Sequence, residues 1–396
     1  MIANRRVLVG VSGGIAIYKT CSVVRQLTEA GAAVDTVMTA SAAEFVRPVT
    51  FEALSKRPVL TSLWERGQAL SHIHLGQDCE LILLAPATAN LLAKAANGIA
   101  DDLLTAILLA SEAPVLAAPA MNDRMWAHEA TQENFVRLAE RGWQFIGPAV
   151  GGLAEGPSSK PGRMVEPEEI VAQAVRMLRA PTSKLNGKRV LVTAGPTREK
   201  IDPVRTISNP SSGLMGYAIA EAAYSRGADV LLVAGPTQLA TPYGVDLLRV
   251  ETTDELEVAV GNNLGDSAAL VMAAAPADYR PCATSEKKLP RTDGSLKIEL
   301  EPTRDVLTAT ADKRRKGTVA VGFALESEDG VNRAKTKLVQ KQLDLIVLNM
   351  AREPGSGFET ATNRVTLISK DDVRELPQLP KREVAEFLLD RVEALL

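Results

Sequence analysis

The chain has 396 residues, 46% of them hydrophobic, and a formal net charge of −3. The length suits two or three domains, and the weak negative charge excludes the basic surface typical of nucleic-acid-binding proteins. Three cysteines without a C-x-x-C pair argue against a disulfide framework and favour a reducing compartment. The sequence has neither a run of eighteen apolar residues nor a signal-peptide pattern, so we expect a cytoplasmic protein without a membrane span.

Strands and helices are predicted to alternate through the first 180 residues. Apolar runs rich in Val, Leu and Ala predict buried strands, and amphipathic stretches that end at Gly31 and Gly142 predict helices. The predicted strands are 7–11, 34–39, 81–85, 115–118 and 144–146, and the predicted helices are 15–30, 88–96, 101–110 and 132–141. This alternation predicts a parallel sheet with helices on both faces.

The segment that begins the strand–helix alternation occurs twice in the sequence. Residues 5–14 read RRVLVGVSGG and residues 188–196 read KRVLVTAGP, each a basic pair, a strand and a glycine turn. The predicted strands of the second half are 190–193, 229–234, 269–273, 319–323 and 343–348, with a β-pair near 365–368 and a final helix at 381–396. The polar stretch 176–188 is the predicted connection. The predicted fold class is α/β, with two Rossmann-like parallel-sheet domains at 1–180 and 188–396 and a linker at 181–187.

Three polar loops follow strands of the first domain. Residues 12–15 read SGGI between a strand and a helix and could hold a phosphate, although a tight structural turn explains this loop alone equally well. Residues 84–90 read LAPATAN and residues 118–126 read APAMNDRMW. Open α/β sheets bind ligands at the carboxyl ends of their strands. The three loops together therefore predict a ligand site at this edge of the sheet.

Two of the three histidines lie close together in residues 71–75, which read SHIHL. Their alternation predicts that His72 and His74 share one face of an extended segment. A metal site would need a third ligand at a suitable spacing, and the sequence offers none. On spacing alone, a catalytic role and two surface histidines remain equally open.

The second domain contains an unusually long polar loop, residues 194–216, which reads AGPTREKIDPVRTISNPSSGLMG. It joins a predicted strand to a predicted helix and carries Arg198, Arg205 and Asn209. A structural connection at this place normally needs only a few residues. The loop therefore predicts an anion site, where helix N–H groups and both arginines point at a phosphate or carboxylate.

Further charged groups follow in the second domain. Residues 273–280 read AAAPADYR at a strand end, and residues 286–291 read EKKLPR. Lys337 and Lys341 are four residues apart and share one helix face, where solvation alone would also explain them. No Walker A loop is present, which excludes an ordinary P-loop ATPase, and the missing G-x-G-x-x-G pattern disfavours an NAD-linked reductase.

The motifs GVSGGIAIYK, SHI, APATAN, GIADDLL and PAMNDRMW resemble those of the homo-oligomeric flavin-containing cysteine decarboxylases over residues 5–179. The resemblance implies a flavodoxin-like domain that binds FMN without a covalent bond. The implied FMN-binding residues are Gly13, Gly14, Ile15, Thr39, Ser41, Pro86, Ala87, Thr88 and Asn90. It also implies that His72 is the catalytic histidine and that Met121 and Asn122 contact the substrate, with Asn122 holding its carboxylate.

One catalytic position departs from this family. The family's lid reads L-A-C-G and its cysteine donates a proton, whereas residues 153–156 read LAEG and place Glu155 there. A carboxylic acid can donate a proton when burial keeps it protonated. We therefore predict that Glu155 is the proton donor, and the alternative is a decarboxylase with impaired turnover.

The long loop, together with AAAPADYR, VGFALE and the Lys337–Lys341 pair, resembles the ligase half of the bifunctional phosphopantothenoylcysteine decarboxylase / phosphopantothenate–cysteine ligase family. The resemblance implies CTP, Mg²⁺ and an acyl-cytidylate. The implied CTP-binding residues are Ala275, Asp278, Lys288, Arg304, Asp305, Val306, Leu307, Phe323, Lys337 and Lys341. The resemblance also implies that Lys288 and Asn209 are catalytic residues and that Arg205 and Asn209 bind the substrate. Leu214 and Pro290 stand where this family usually has lysines.

Together the two resemblances imply a fused enzyme of coenzyme A biosynthesis, whose substrates are 4′-phosphopantothenate, cysteine and CTP. They imply binding to neither nucleic acid nor membranes. They also imply trimeric decarboxylase domains and dimeric ligase domains, together possibly a dodecamer. A regulatory flavoprotein without enzymatic activity is the non-enzymatic alternative. The ligase motifs argue against it.

Overall fold

A computed structural model describes residues 2–64, 70–291, 295–326, 329–350 and 360–396. The chain divides into two compact units, Met1–Arg179 and Ala180–Leu396. Each unit is an α/β domain built on its own parallel sheet, as the strand–helix alternation predicted. Among the described residues, no helix is both long enough and apolar enough to cross a bilayer.

The first unit is built on a six-stranded parallel sheet with the order β3-β2-β1-β4-β5-β6. Its strands are β1 Arg6–Val11, β2 Ala33–Met38, β3 Val59–Leu60, β4 Leu81–Ala87, β5 Val115–Pro119, β6 Gln144–Phe145, and an antiparallel pair, β7 Ala149–Val150 and β8 Pro161–Arg163. Its helices are α1 Ile17–Glu29, α2 Ala40–Ala43, α3 Pro48–Ser55, α4 Ser71–Asp78, α5 Ala89–Asn97, α6 Leu103–Ala110, α7 Asp123–Ala127, α8 Glu129–Glu140 and α9 Pro167–Arg179.

Local chemistry explains where these helices begin and end. Thr88 caps α5 by accepting from the Leu91 N–H at 3.4 Å, and Asp102 forms a capping box with Thr105 at the start of α6. Gly31 has a φ of +92° just after α1, a conformation that side chains with a Cβ rarely adopt. Apolar side chains of β1, β4, α5 and α6 then close one buried core.

Two sequence predictions are corrected in the first unit. Residues 71–75 belong to helix α4 and are not an extended segment, so His72 and His74 point in different directions. His72 is half-buried and His74 is exposed. The predicted connection 176–188 begins inside a helix, because α9 continues to Arg179. The strong amphipathic pattern of residues 167–179 extends past the polar residues that indicated a linker.

The second unit contains an eight-stranded sheet with the order β13-β12-β9-β14-β17-β18-β20-β21, which is parallel up to β18 and antiparallel beyond it. The strands are β9 Arg189–Ala194, β10 Glu199–Lys200, β11 Thr206–Ile207, β12 Asp229–Ala234, β13 Asp246–Arg249, β14 Ala269–Met272, β15 Tyr279–Pro281, β16 Leu300–Pro302, β17 Val319–Glu326, β18 Leu345–Met350, β19 Thr362–Asn363, β20 Val365–Ser369, β21 Val373–Glu375 and β22 Leu379–Pro380. The helices are α10 Leu214–Ser225, α11 Thr253–Asn263, α12 Val306–Ala309, α13 Gly330–Gln340 and α14 Lys381–Leu395.

One buried arginine joins the last helix to α10. The Arg226 side chain follows α10 and is only 4% exposed. It contacts three carboxylates along one face of α14, Glu386 at 2.6 Å, Asp390 at 2.7 Å and Glu393 at 3.1 Å. Burial opposes a high pKa for Arg226, but its hydrogen bonds to Glu386 and Asp390 and their negative charges hold that pKa above its ordinary value. A buried guanidinium compensated in this way fixes α14 against α10.

Candidate active sites

A cavity of about 740 Å³ lies at the carboxyl ends of the first unit's central strands. The strand order reverses between β1 and β4, and such a switch point is where open α/β sheets bind ligands. The predicted FMN and substrate residues Gly13, Gly14, Ile15, Thr39, Ser41, Thr88, Asn90, Met121, Asn122 and Glu155 line it. Pro86 and Ala87 lie at the end of β4, are buried, and do not line the cavity.

The rim of this first cavity depends on close contact between loops. A Cβ added to Gly13 would lie 2.4 Å from the Cβ of Ser41 and 2.8 Å from its carbonyl oxygen, so only glycine fits there. The Ser12 hydroxyl donates to the Pro86 carbonyl at 2.7 Å and accepts from the Thr88 N–H at 3.1 Å. The β1–α1 and β4–α5 loops are thereby joined into one polar cradle.

A lid segment, residues 151–160, covers another side of the first cavity. Asn122 caps α7 by accepting from the Arg124 N–H at 2.8 Å, and its side-chain amide donates to the Glu155 carboxylate. The Glu155 side chain is exposed. Burial of this carboxyl is expected only when the lid closes, and it stays a prediction.

Lys19 fixes the chain just after the lid. Its ammonium is 7% exposed and donates to the Met164 carbonyl and the Glu166 carboxylate, both at 3.0 Å. This hydrogen bond from Lys19 holds the pKa of Glu166 below its ordinary value. The sequence indicated no role for Lys19, because its partners lie about 145 residues further along the chain.

His72 does not line the cavity of its own unit. It lies in α4, and its Nδ1 is buried with no hydrogen-bond partner among the described residues. A buried imidazole nitrogen without a partner is uncommon in a folded protein. The structure thus separates His72 from the other predicted residues of the first site.

A second cavity of about 340 Å³ lies at the carboxyl ends of β9, β14 and β17. The strand order of the second sheet reverses between β9 and β14. The predicted residues that line it are Asn209, Ala275, Asp278, Arg304, Asp305, Val306, Leu307, Phe323, Lys337 and Lys341. Lys288 and Arg205 do not line it. Within the described residues, no group of three or more His, Cys, Asp or Glu side chains could hold a metal ion.

Two lysines of the second cavity are paired with carboxylates. Lys337 contacts Glu326 at 2.7 Å, and Lys341 contacts Asp305 at 2.5 Å. Lys337 lowers the pKa of Glu326. Burial opposes a low pKa for Asp305, but its hydrogen bonds from Lys341 and the Thr308 N–H hold the value below the ordinary one. Both lysines therefore line the cavity while each is paired with a carboxylate.

Arg198 and Arg205, which the sequence predicted at an anion site, do not line the second cavity, whereas Asn209 of the same loop and the start of α10 do. The Arg198 side chain is exposed, and Arg205 donates to Asp202 at 3.0 Å and to the Leu289 carbonyl at 3.2 Å. Asp202 is fully buried and also accepts from the Leu289 N–H at 3.2 Å. The loop length indicated a ligand, but much of the loop is used to hold residues 285–290. Lys288 is exposed on that held segment.

Three polar residues at the second cavity were missed by the sequence analysis. Asn349 is the penultimate residue of β18, Asn363 ends β19 and Lys381 begins α14, and all three line the cavity. A polar residue at the carboxyl end of an apolar strand was the available signal for Asn349. No pattern near the final helix distinguishes Lys381 from an ordinary helix start.

Comparison with known proteins agrees with this division. The family described as "Flavoprotein" matches residues 1–179, and "DNA/pantothenate metabolism flavoprotein C-terminal domain" matches residues 185–396. The coenzyme A biosynthesis bifunctional protein CoaBC of Bacillus subtilis is 44% identical over 400 residues, covering 100% of this chain and 98% of that protein. Its Vibrio cholerae counterpart is 44% identical over 392 residues, covering 98% of each chain.

Solved structures of single domains are also similar. The C-terminal domain of a CoaBC protein is 40% identical with a TM-score of 0.47, covering 54% of this chain and 98% of that one. A mutant PPC decarboxylase complexed with pantothenoylaminoethenethiol is 31% identical with a TM-score of 0.39, covering 43% of this chain and 96% of that one. From the family matches and the full-length relatives, we conclude that the chain belongs to the family of bifunctional coenzyme A biosynthesis enzymes, with a flavoprotein decarboxylase unit followed by a ligase unit.

Proposed function

We propose that the two units act in succession on one substrate. The second unit joins cysteine to 4′-phosphopantothenate with CTP, and the first unit decarboxylates the resulting 4′-phosphopantothenoylcysteine to 4′-phosphopantetheine with FMN. The linker between the two activities is residues 181–187. The observation that carries the proposal is the pair of switch-point cavities, each lined by most of the residues that the sequence motifs assign to its ligand.

The first cavity suits FMN because its rim offers what an anionic, planar cofactor needs. The close approach at Gly13 and the hydroxyl groups of Thr39, Ser41 and Thr88 leave room and polar partners for a phosphate and a ring edge. When bound, FMN supplies a two-electron acceptor for the oxidation that precedes loss of carbon dioxide. When substrate binds, the side-chain amide of Asn122 gives up its hydrogen bond to Glu155 and donates to the substrate carboxylate instead.

Glu155 is proposed as the proton donor that completes decarboxylation. It lines the cavity on the lid, and closure of the lid over substrate would remove water from its carboxyl group. Glu155→Gln should still release carbon dioxide but accumulate an unsaturated enethiol product, and Glu155→Cys should restore the saturated one. Saturated product at the wild-type rate from Glu155→Gln, identified by mass spectrometry, would exclude this role. Wild-type protein that itself accumulates the enethiol would support an impaired decarboxylase.

His72 is proposed to act in the cavity of a neighbouring subunit. It lies outside the cavity of its own unit, and the exposed Ile15, Tyr18 and Met125 side chains around that cavity suit contact with another chain. We propose trimers of the first unit and dimers of the second, which together give a dodecamer. Light scattering that shows a monomer with decarboxylase activity would refute this arrangement.

In the second unit, Lys337 and Lys341 are proposed to bind the triphosphate of CTP. Phosphate oxygens displace Glu326 and Asp305, because a multiply charged phosphate attracts an ammonium more strongly than a single carboxylate does. Mg²⁺ enters with the nucleotide and keeps part of its water shell, with Asp278 as a nearby carboxylate. Asn209 then holds the acyl-cytidylate, and Lys288 reaches the site from the segment that Asp202 and Arg205 support.

The defining experiment mixes the purified protein with 4′-phosphopantothenate, cysteine and CTP. We expect a yellow protein whose FMN is released on denaturation, together with pyrophosphate, carbon dioxide and 4′-phosphopantetheine. ATP in place of CTP should support much slower pyrophosphate release. A colourless protein that takes up no added FMN would remove the decarboxylase proposal, and a preference for ATP would remove the CTP assignment.

A further inference from the structure

The second cavity has a polar wall that the nucleotide residues do not explain. Asn349, Asn363 and Lys381 form this wall. Asn363 is 1% exposed and Lys381 is 6% exposed. A buried amide oxygen without a donor costs free energy, so the Oδ1 of Asn349 in this wall, to which no described residue donates, points to a ligand. Burial also holds the pKa of Lys381 below its ordinary value.

The wall lies on the opposite side of the sheet from the paired lysines. Side chains alternate along β18, and Ile346 and Leu348 face the core shared with α11 and α13. Asn349 therefore faces the other side, where α10 and α14 pack together. Lys337 and Lys341 belong to α13 and its end. The cavity thus spans the strand ends, with the nucleotide lysines on one side and the polar wall on the other.

The chemistry of the wall suits a ligand that is both a donor and an anion. The Oδ1 of Asn349 is buried and has no hydrogen-bond partner among the described residues, so it lacks a donor. Lys381 offers a cationic donor. The triphosphate of CTP supplies acceptors only, and its base and sugar supply donors but no anion, whereas an α-amino acid supplies both a carboxylate and an amine, two bonds apart. Ligation consumes one such amino acid, and no residue has yet been assigned to it.

We propose that Asn349 and Lys381 form the binding subsite for cysteine in the ligase unit. Lys381 binds the cysteine carboxylate, and Asn349 accepts a hydrogen bond from the amine. This subsite rests on the proposed ligation of cysteine to a CTP-activated acyl group. It holds the amine on the side of α10, whose first residues Leu214 and Met215 line the cavity together with Asn209. The carboxylate contact selects an amino acid over a simple amine, because the ion pair lies in a buried wall.

The test compares cysteine with cysteamine, which has the same amine and thiol but no carboxylate. Wild-type full-length protein should show a kcat/KM roughly 10-fold or more higher for cysteine, as expected for a charge-assisted contact. Lys381→Met should lose that preference by reducing kcat/KM for cysteine alone, and Lys381→Arg should retain most of it. Asn349→Leu should raise KM for both amines, whereas Asn349→Ser, which keeps a neutral oxygen acceptor, should raise it less.

Pyrophosphate release in a single turnover without any amine separates this inference from the ligase proposal. Wild type and Lys381→Met should release it equally. If the wild type releases none, the CTP-dependent ligation itself fails. If both release it but the preference for cysteine persists in Lys381→Met, the subsite is wrong. Two other outcomes would assign the wall to the acyl substrate and would also overturn the proposed cysteine subsite. One is loss of pyrophosphate release in Lys381→Met. The other is a raised KM for 4′-phosphopantothenate with an unchanged KM for cysteine in Asn349→Leu.

Discussion

The two cavities occupy the same place in two similar sheets, yet one ion pair at each buries the opposite charge. At the first cavity Lys19 is 7% exposed and its partner Glu166 is 44% exposed, so the cation is buried. At the second cavity Glu326 is 8% exposed and Lys337 is 41% exposed, so this pair buries its anion, whereas the Lys341–Asp305 pair does not. Lys19 is held by two acceptors next to the lid, whereas Lys337 is accessible, as its proposed contact with a phosphate requires. The Lys19 and Lys337 pairs thus differ in which partner is buried.

The largest expected effect separates the two units altogether. His72→Asn should reduce carbon dioxide release by about 10²-fold or more, the usual contribution of a positioned proton-transfer group. Pyrophosphate release should stay at the wild-type level, because His72 lies in the first unit only. His74→Asn is the matched control, since His74 is exposed on the same helix and should change neither activity. Loss of both activities in a folded His72 variant would contradict independent units.

Lys337→Met tests the Lys337–Glu326 pair. Removal of this ammonium should raise KM for CTP by roughly 10-fold or more, the cost of one hydrogen bond to a charged group. Arg333→Met is the control, because Arg333 lies on the same helix and contacts the same Glu326 at 3.4 Å but does not line the cavity. An equal rise of KM for CTP in both variants would show that Lys337 acts through its ion pair with Glu326 and does not contact the nucleotide.

Lys19→Met tests the Lys19–Glu166 pair. We expect a loss of about 1–3 kcal/mol of stability, because the carbonyl of Met164 and the carboxylate of Glu166 lose their buried donor while Glu166 keeps part of its solvation. Arg25→Met on the same helix removes an exposed pair with Glu29 and should cost less than about 0.5 kcal/mol. Chemical denaturation followed by flavin fluorescence measures both. Equal costs would refute a special role for the buried lysine.

The smallest effect concerns Asp202 and appears only with pH. Burial opposes a low pKa for this carboxyl, but N–H groups of Val204, Arg205 and Leu289 and the Arg205 guanidinium hold its pKa below the ordinary value. Its stabilisation is therefore present above pH ~3.9, the value for an unfolded chain, and is lost as the pH falls through the folded pKa. The Tm difference between wild type and Asp202→Asn should shrink as the pH falls below ~4. A difference that does not change with pH would contradict this linkage.

The sequence predicted the repeated sheet well because its signals are local. Apolar runs such as 81–85 and 319–323 lie within strands β4 and β17, and most of the motif residues line a cavity. Helix α4 was missed because the alternation in SHIHL imitates a strand. The partners of Lys19 and Arg205 decide what these cations do, and they lie 145 and 84 residues away. Contacts at such separations are not visible in local patterns.

The contact between Arg226 and α14 makes helix α14 a sensitive place for protein engineering. A truncation of the last ten residues deletes no residue that lines the second cavity, yet it removes Asp390 and Glu393 from the buried guanidinium. The shortened α14 would hold Lys381 less firmly, because the remaining helix is fixed to α10 through Glu386 alone at this position. A protein shortened there would lose ligation before it loses decarboxylation, and a fusion partner is better joined after an intact α14.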